Sequence, residues 1–148
     1  MDRAELRSLQ APLKERYTDD PDAGVVTLTA GGELDSEDVA CSVQTGRALV
    51  EAGLHPASGG TGSLACSGDM LLQALVACAG VTLRSVAVNR GISVTGGRVS
   101  AEGDLDFRGT MGVDREAPVG FRSIRLGFEL ESDAEEEEIE ALISSTAR

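Results

Sequence analysis

The longest apolar stretch of the chain covers residues 70–83, is interrupted by Gln73 and is closed by Arg84. Apolar residues occupy nearly every position around a helix there, the pattern of a helix enclosed by other elements. Ser67 is a candidate N-cap, Asp69 complements the dipole of a first turn, and Gly91 is a typical stop. The pattern therefore predicts a long, buried central helix over about 69–90.

Alternation of apolar and polar residues with a period of two predicts strands on both sides of this helix. Four segments show it, at 25–30, 38–45, 92–107 and 121–131. The last is the clearest, with one apolar and one charged face. The turn residues GGELDSE between the first two segments predict a hairpin connection. Antiparallel strands around a central helix give an α+β fold, and 148 residues fit a single domain.

The two ends of the chain are polar. Residues 1–24 form an N-terminal arm in which we predict one short helix, followed by a turn at TDDPDAG. Near the other end, Ser132 and Glu135 have the spacing of a capping box at the start of an acidic helix. The apolar stripe of that helix consists of Ile139, Leu142 and Ile143.

A Gly/Ser-rich loop covers residues 46–69 and leads into the central helix. Loops of this length in a compact domain are usually functional or flexible. It contains His55, the single histidine, for which a turn is the better interpretation than a catalytic role. The segment GGTGS lacks the lysine of a phosphate-binding loop, so we interpret it as a flexible turn.

The net charge of the chain disfavours two classes of binding partner. Twenty-five acidic and 13 basic residues give a net charge of −12, which disfavours nucleic acid and anionic membranes. The N-terminus is charged from its second residue, unlike a secretory signal. The longest apolar run is shorter than the roughly 20 residues of a membrane span. We therefore expect a cytoplasmic protein that binds neither nucleic acid nor a membrane.

Three cysteines suit free thiols in a reducing compartment better than a disulfide framework. Cys66 and Cys78 would lie roughly 15–18 Å apart along the helix. A disulfide requires Cα atoms within about 7 Å, so these two cannot pair, whereas Cys41 on a strand is not placed by the sequence. No CxxC or HxxxH spacing indicates zinc, and we predict no metal and no cofactor.

Cys78 is the central candidate, because it lies in the middle of the apolar helix between small residues. A cysteine there is either an inert small hydrophobe or a reactive thiol. A mid-helix thiol gains nothing from the helix N-terminus, so a reactive Cys78 needs a nearby cation. The candidate cations are Arg16, Arg108, Arg115 and, less favourably because of its side of the helix, Arg84.

The segment ACSGDMLLQALVACAGVTLRSVAV resembles the helix signature of the OsmC/Ohr family (osmotically inducible protein C and organic hydroperoxide resistance proteins). In that signature an acidic residue begins a long apolar helix and a cysteine follows nine or ten residues later, as Asp69 and Cys78 do. The order of strands, Gly-rich loop, helix, GDLDFRG and late acidic helix is also similar to the family, so the resemblance covers most of the chain.

The resemblance implies an intertwined homodimer with active sites at the subunit interface. It also implies a thiol peroxidase in which Cys78 attacks a hydroperoxide, Arg16 activates the thiolate and Asp69 orients the arginine. An unknown thiol reductant would regenerate the enzyme. Relatives carry a resolving cysteine just beyond a motif that SSTAR begins, which suggests that the C-terminal end is truncated at Arg148.

A second hypothesis follows from the same residues. The family's acid is usually a glutamate at the position of Gly68, and no second cysteine follows Cys78. Both features favour a non-catalytic OsmC-fold dimer that binds a small apolar or sulfur-containing ligand at its interface, with Cys78 as a contact. A dimer with a purely structural role is the third alternative.

Overall fold

The computed structural model describes residues 3–34, 41–43 and 52–147. The helices are α1 (Arg3–Asp19), α2 (Ser67–Arg90), α3 (Phe107–Thr110) and α4 (Glu136–Thr146). The strands are β1 (Val25–Leu34), β2 (Cys41–Val43), β3 (Ala52–Gly53), β4 (Ala65–Cys66), β5 (Val94–Asp106) and β6 (Phe121–Ser132). Single 3₁₀ turns occupy Pro21–Gly24 and Pro56–Ser58.

The main sheet has four strands in the order β2-β1-β5-β6. Strands β1 and β2 are antiparallel, with Gly32 opposite Val43 and Leu34 opposite Cys41. Strands β3 and β4 form a separate parallel pair. This mixture of helices and sheet confirms the predicted α+β class, and β5 and β6 lie where the alternation predicted them. Residues 31–34, predicted to begin the hairpin connection, continue β1 instead, and residues 35–40 lie outside the described residues.

Two compact units make up the chain. Unit 1 contains residues 1–28, 47–71 and 102–124, and unit 2 contains residues 29–46, 72–101 and 125–148. Within unit 2, the buried apolar side chains come from α2, β5 and α4 and from the end of β1. They are Leu34, Leu72, Val76, Ala79, Leu83, Ala87, Val94, Val99, Ala101 and Leu142.

Helix α2 buries one face only, which corrects the prediction of a helix enclosed all round. Its buried positions recur every three or four residues, the spacing of a single helical face. Arg84 lies on that buried face and donates a hydrogen bond to the carbonyl oxygen of Val94. Val81 and Val88 lie on the opposite side and are 43% and 61% exposed. The residues that the structure describes therefore leave one apolar face of α2 uncovered.

The ends of α2 follow two different local rules. Gly91 has a φ of 70°, and its amide donates to the carbonyl oxygen of Val88, while the amide of Ile92 donates to that of Ala87. These two bonds form a Schellman motif, which confirms the predicted stop. At the other end, Ser67 is the first residue of the helix instead of its N-cap, because the helix begins two residues earlier than predicted.

The predicted capping box of the last helix is wrong by three residues. The box joins Glu135, the N-cap of α4, to Glu138. Ser132 ends β6 instead, and its hydroxyl donates to the carbonyl oxygen of Ser93 at 2.6 Å. The predicted apolar stripe is confirmed, with Leu142 fully buried.

The N-terminal arm forms a helix of 17 residues, longer than the short helix that was predicted. The sequence of this helix is polar, so no apolar periodicity indicates its length. The turn predicted at 18–24 is present as the 3₁₀ turn that follows α1.

Helix α2 also has the length and composition of a membrane span, with 24 residues and a mean hydropathy of 1.8 in its most apolar window. The apolar run at 70–83 is shorter than the helix, because Arg84 closes it. A core helix of a soluble protein meets the same criterion. The buried face of α2, with Arg84 in it, has this core character.

Candidate functional site

Cys78 lies on the uncovered face of α2 and its thiol is exposed. Within unit 2, the exposed neighbours on this face are Ala74, Val81 and Val88, which lie three, four or seven residues from Cys78 or from one another. We call Ala74, Cys78, Val81 and Val88 the α2 stripe. The chain alone does not bury Cys78, so the thiol is not a packing residue within the interior of its own unit.

Among the cations considered for Cys78, Arg84 is excluded by its position. It follows Cys78 by six residues, which corresponds to roughly 120° around the helix axis. Its guanidinium is buried and bonded to a backbone carbonyl of β5, whereas Cys78 faces outward. The predicted position of Arg84 away from Cys78 is therefore confirmed, and the choice among the other arginines stays a prediction.

The other residues that the resemblance assigns to the site lie in unit 1, whereas Cys78 lies in unit 2. Arg16 is exposed in the last turn of α1. Asp69 is half-buried in the first turn of α2, as predicted. Arg115 is exposed in the connection between α3 and β6. The roles of Arg16 and Asp69 in activating Cys78 stay predictions.

Arg108 belongs to a buried ion-pair network that sequence reasoning missed. Its Nε donates to both carboxylate oxygens of Asp106 at 3.0 and 3.2 Å, and a terminal nitrogen donates at 2.6 Å. The Asp106 side chain is 1% exposed. Asp114 lies 3.4 Å from Arg108, and Arg122 lies 3.8 Å from Asp106. These charges give Arg108 a structural role.

The same contacts control the titration of Asp106. Hydrogen bonds from the Arg108 side chain lower the pKa of Asp106 below its usual value of 3.8, against the opposing effect of burial. In return, the carboxylate raises the pKa of Arg108. Asp106 also accepts the backbone amide of Arg108 at 3.1 Å and thereby caps α3. The aspartate therefore fixes the helix turn that begins with Phe107.

A cavity of about 340 Å³ lies within unit 1, and we call it the unit 1 cavity. Cys66 and His55 are among its lining residues, and the His55 and Phe107 rings stack in its wall with centroids 5.1 Å apart. Cys66 is half-buried at the junction between the loop and α2. The apolar walls of the cavity are formed by Leu54, Leu71, Leu105, Phe107, Val119 and Phe121.

The described part of the Gly/Ser-rich loop is held in place by helix α1. The Tyr17 hydroxyl donates to the carbonyl oxygen of Ala57 at 2.8 Å, and Gln10 donates to that of Ser58 at 3.0 Å. Burial raises the pKa of Tyr17, while the charge of Arg16 opposes the shift. Helix α1 thus anchors the loop around His55, for which the sequence left a functional and a flexible role open.

His55 itself shapes this turn. Its Nδ1 accepts the backbone amide of Ala57 at 3.0 Å, so the neutral ring carries its proton on Nε2. This bond caps the 3₁₀ turn Pro56–Ser58. The arrangement agrees with the prediction that His55 belongs to a turn.

The fold and the exposed thiol of its long helix define an α+β protein with a reactive-cysteine candidate at the helix centre. A family model described as OsmC-like protein matches residues 60–148, more than half of the chain. The chain belongs to this family, which confirms the resemblance seen in the α2 segment. A comparison with curated proteins finds no match.

Proposed function

We propose that the protein is a cytoplasmic, thiol-dependent peroxidase that reduces organic or inorganic hydroperoxides through Cys78, as part of an oxidative stress response. The single observation that supports this most is the exposed position of the Cys78 thiol on the apolar α2 stripe, in a member of the OsmC-like family. An apolar surface suits the organic part of a hydroperoxide.

The chemistry requires a thiolate and a leaving group. The Cys78 sulfur attacks the terminal oxygen of the hydroperoxide, so that an S–O bond forms while the O–O bond breaks. The departing alkoxide takes a proton and leaves as an alcohol, and the cysteine becomes a sulfenic acid. A second thiol then condenses with the sulfenic acid and releases water, and an external dithiol reduces the resulting disulfide.

We further propose that the active form is a homodimer in which a second copy covers the α2 stripe. Val81 and Val88 expose apolar surface that gains free energy when it is removed from water. Coverage by a second copy would surround Cys78 with an apolar pocket.

The cation and the carboxylate of the site remain those that the resemblance assigns, Arg16 and Asp69. The resolving thiol is open among Cys41, Cys66 and a cysteine of another protein. Substitution of each residue followed by single-turnover kinetics separates these roles, because a resolving thiol affects only the steps after sulfenic acid formation.

A specific observation favours a second candidate function, a non-catalytic dimer that binds a small apolar or sulfur-containing ligand. The nearest neighbours of Cys78 on its stripe, Ala74 and Val81, carry no charge that would hold a thiolate. Under this alternative Cys78 is a contact residue and the three thiols differ only in their exposure.

Alkylation of the reduced protein, followed by mass spectrometry of each cysteine, distinguishes the two functions. The rate is measured against pH, with and without one equivalent of cumene hydroperoxide. A peroxidase shows one thiol, Cys78, that alkylates with an apparent pKa well below 8 and is protected by the peroxide. If Cys78 alkylates like an ordinary thiol and peroxide leaves it unchanged, the protein is not a Cys78 peroxidase.

A further inference from the structure

The unit 1 cavity has the characteristics of a small-molecule site, and its lining does not include Cys78, Arg16 or Asp69. Its volume of about 340 Å³ lies at the lower end of the range for ligand pockets. Most of its wall is apolar, and a small set of polar residues completes it, as is usual for such sites. These polar residues are His55, Ser58, Cys66, Ser67 and Thr110.

Neighbouring residues hold the aromatic side chains of the cavity wall in place. Phe107 begins the helical turn that the buried Asp106 caps, and it stacks on His55. The Phe121 ring lies against Gly103 of β5, where a Cβ atom would approach the ring to 2.3 Å. The position of each aromatic side chain is therefore fixed by a neighbour other than a ligand.

The rim of the cavity exposes apolar surface to water, and this exposure is unfavourable in free energy. Leu54, Leu71 and Val119 line the cavity and are 44%, 54% and 80% exposed. A ligand that covers this rim would remove from water both the apolar surface of the rim and its own apolar surface. The polar residues of the wall can bind one hydrogen-bonding group of such a ligand.

We propose that the unit 1 cavity binds a small aromatic molecule with one polar substituent, at a site whose walls include Cys66 and not Cys78. The flat rings of Phe107 and His55 offer a stacking surface, and the small volume limits the ligand to one or two rings. This site is distinct from the peroxide-attacking thiol of the proposed peroxidase, because Cys78 belongs to unit 2 and does not line the cavity.

Cys66 makes the proposal testable without knowledge of the natural ligand. In a Cys78→Ser background, Cys66 is treated with N-phenylmaleimide and with N-methylmaleimide, and the rate at the Cys66 peptide is followed by mass spectrometry. Both reagents add the thiolate sulfur to the same ring carbon and differ only in the aromatic group. The ratio of the two rates, divided by the ratio for free glutathione, measures the selectivity of the cavity for an aromatic ring.

We expect a corrected ratio of about ten, the effect of burying the apolar surface of one to two methylene groups. Millimolar indole should slow the reaction of Cys66 with N-methylmaleimide and leave the Cys41 peptide unaffected. A corrected ratio near one, or a Cys66 rate that indole does not change, overturns the proposal. So does a ratio that disappears as protein concentration rises, since a second copy would then fill the cavity.

Rim variants supply the matched comparison. Leu54→Gln and Val119→Gln place an amide at the cavity mouth and should reduce the corrected ratio at least about three-fold. Leu9→Gln changes a leucine of α1 with similar exposure that does not line the cavity, and it should leave the ratio unchanged. Equal ratios in all three variants contradict the proposal. The ratio in the unaltered cavity still decides the question if a rim variant fails to fold.

Discussion

A single chain surrounds Cys66 to a greater extent than it surrounds Cys78. Cys66 is half-buried beside a cavity with aromatic walls, and helix α1 anchors the loop that leads to it. Cys78 lies exposed on a helix face whose neighbours are apolar. The family signature points to Cys78, whereas the single chain builds a pocket beside Cys66.

This difference separates two kinds of site. A pocket that is closed by elements of its own unit is available to a ligand whenever that unit is folded. A thiol on an uncovered apolar stripe becomes a site only when something covers the stripe, and we propose that a second copy does so. Oligomeric state should therefore affect the chemistry of Cys78 more strongly than that of Cys66.

The largest expected effect tests which thiol attacks peroxide. Cys78→Ser should lower the rate of cumene hydroperoxide consumption by at least about 100-fold, because no other group replaces the nucleophile. A coupled assay with dithiothreitol as reductant measures the rate. If Cys66→Ser causes the loss instead and Cys78→Ser does not, the roles of the two thiols are reversed.

The next effect concerns the α2 stripe. Val81→Glu should raise the dissociation constant of the proposed dimer by about 100-fold or more, because a carboxylate would be taken from water into an apolar interface without a partner. Sedimentation velocity over a range of protein concentrations measures this change.

Leu9→Glu is the matched control for the stripe, since Leu9 is exposed to a similar extent on α1. It should leave the dimer intact. A wild-type protein that sediments as a monomer at high concentration would contradict the proposal that a second copy covers Cys78.

A smaller effect tests the network that positions the cavity wall. Asp106→Ala removes a buried carboxylate that accepts four hydrogen bonds from Arg108 and should lower the free energy of unfolding by about 2–3 kcal/mol. Urea unfolding measures the loss. Asp133→Ala, at an exposed position, should change it far less.

The pH dependence of this contribution has a definite sign. The folded-state pKa of Asp106 is depressed, so the stabilisation is present above the ordinary pKa of 3.8 and is lost as pH falls through the lower, folded value. The loss of stability below about pH 4 should therefore be shallower in Asp106→Asn than in the wild type. Equal acid profiles would show that Arg108 does not hold this carboxylate.

The sequence predicted the parts of the molecule that depend on local rules. Gly91 stops α2 because a left-handed residue closes the helix, and β6 follows from strict alternation. The α2 segment also carried the family resemblance. Each of these features is contained within about 25 consecutive residues.

The parts that could not be predicted depend on residues far apart in sequence. The unit 1 cavity is lined by residues as far apart in sequence as Gly53 and Phe121. No local sequence pattern around either residue indicates that the two lie close together. The same holds for the loop anchored by Tyr17 across 40 residues. The exposed face of α2 escaped prediction for a different reason, because an exposed apolar helix face has the same composition as one buried within its own chain.

The smallest expected effect sharpens the contrast between an aromatic wall and an open strand. Gly103→Ala places a Cβ atom 2.3 Å from the Phe121 ring, so the ring must shift, and we expect a loss of about 1–2 kcal/mol in the free energy of unfolding. Gly96→Ala is the control on the same strand, because its Cβ atom meets only the carboxylate end of Glu131, a flexible side chain that can move away. The two variants are compared by urea unfolding and by the aromatic selectivity of Cys66. A larger stability loss in Gly103→Ala, accompanied by reduced selectivity, would connect the Phe121 ring to the cavity. Equal losses in the two variants would mean that the ring is free to move and that the wall beside Cys66 is less rigid than its packing indicates.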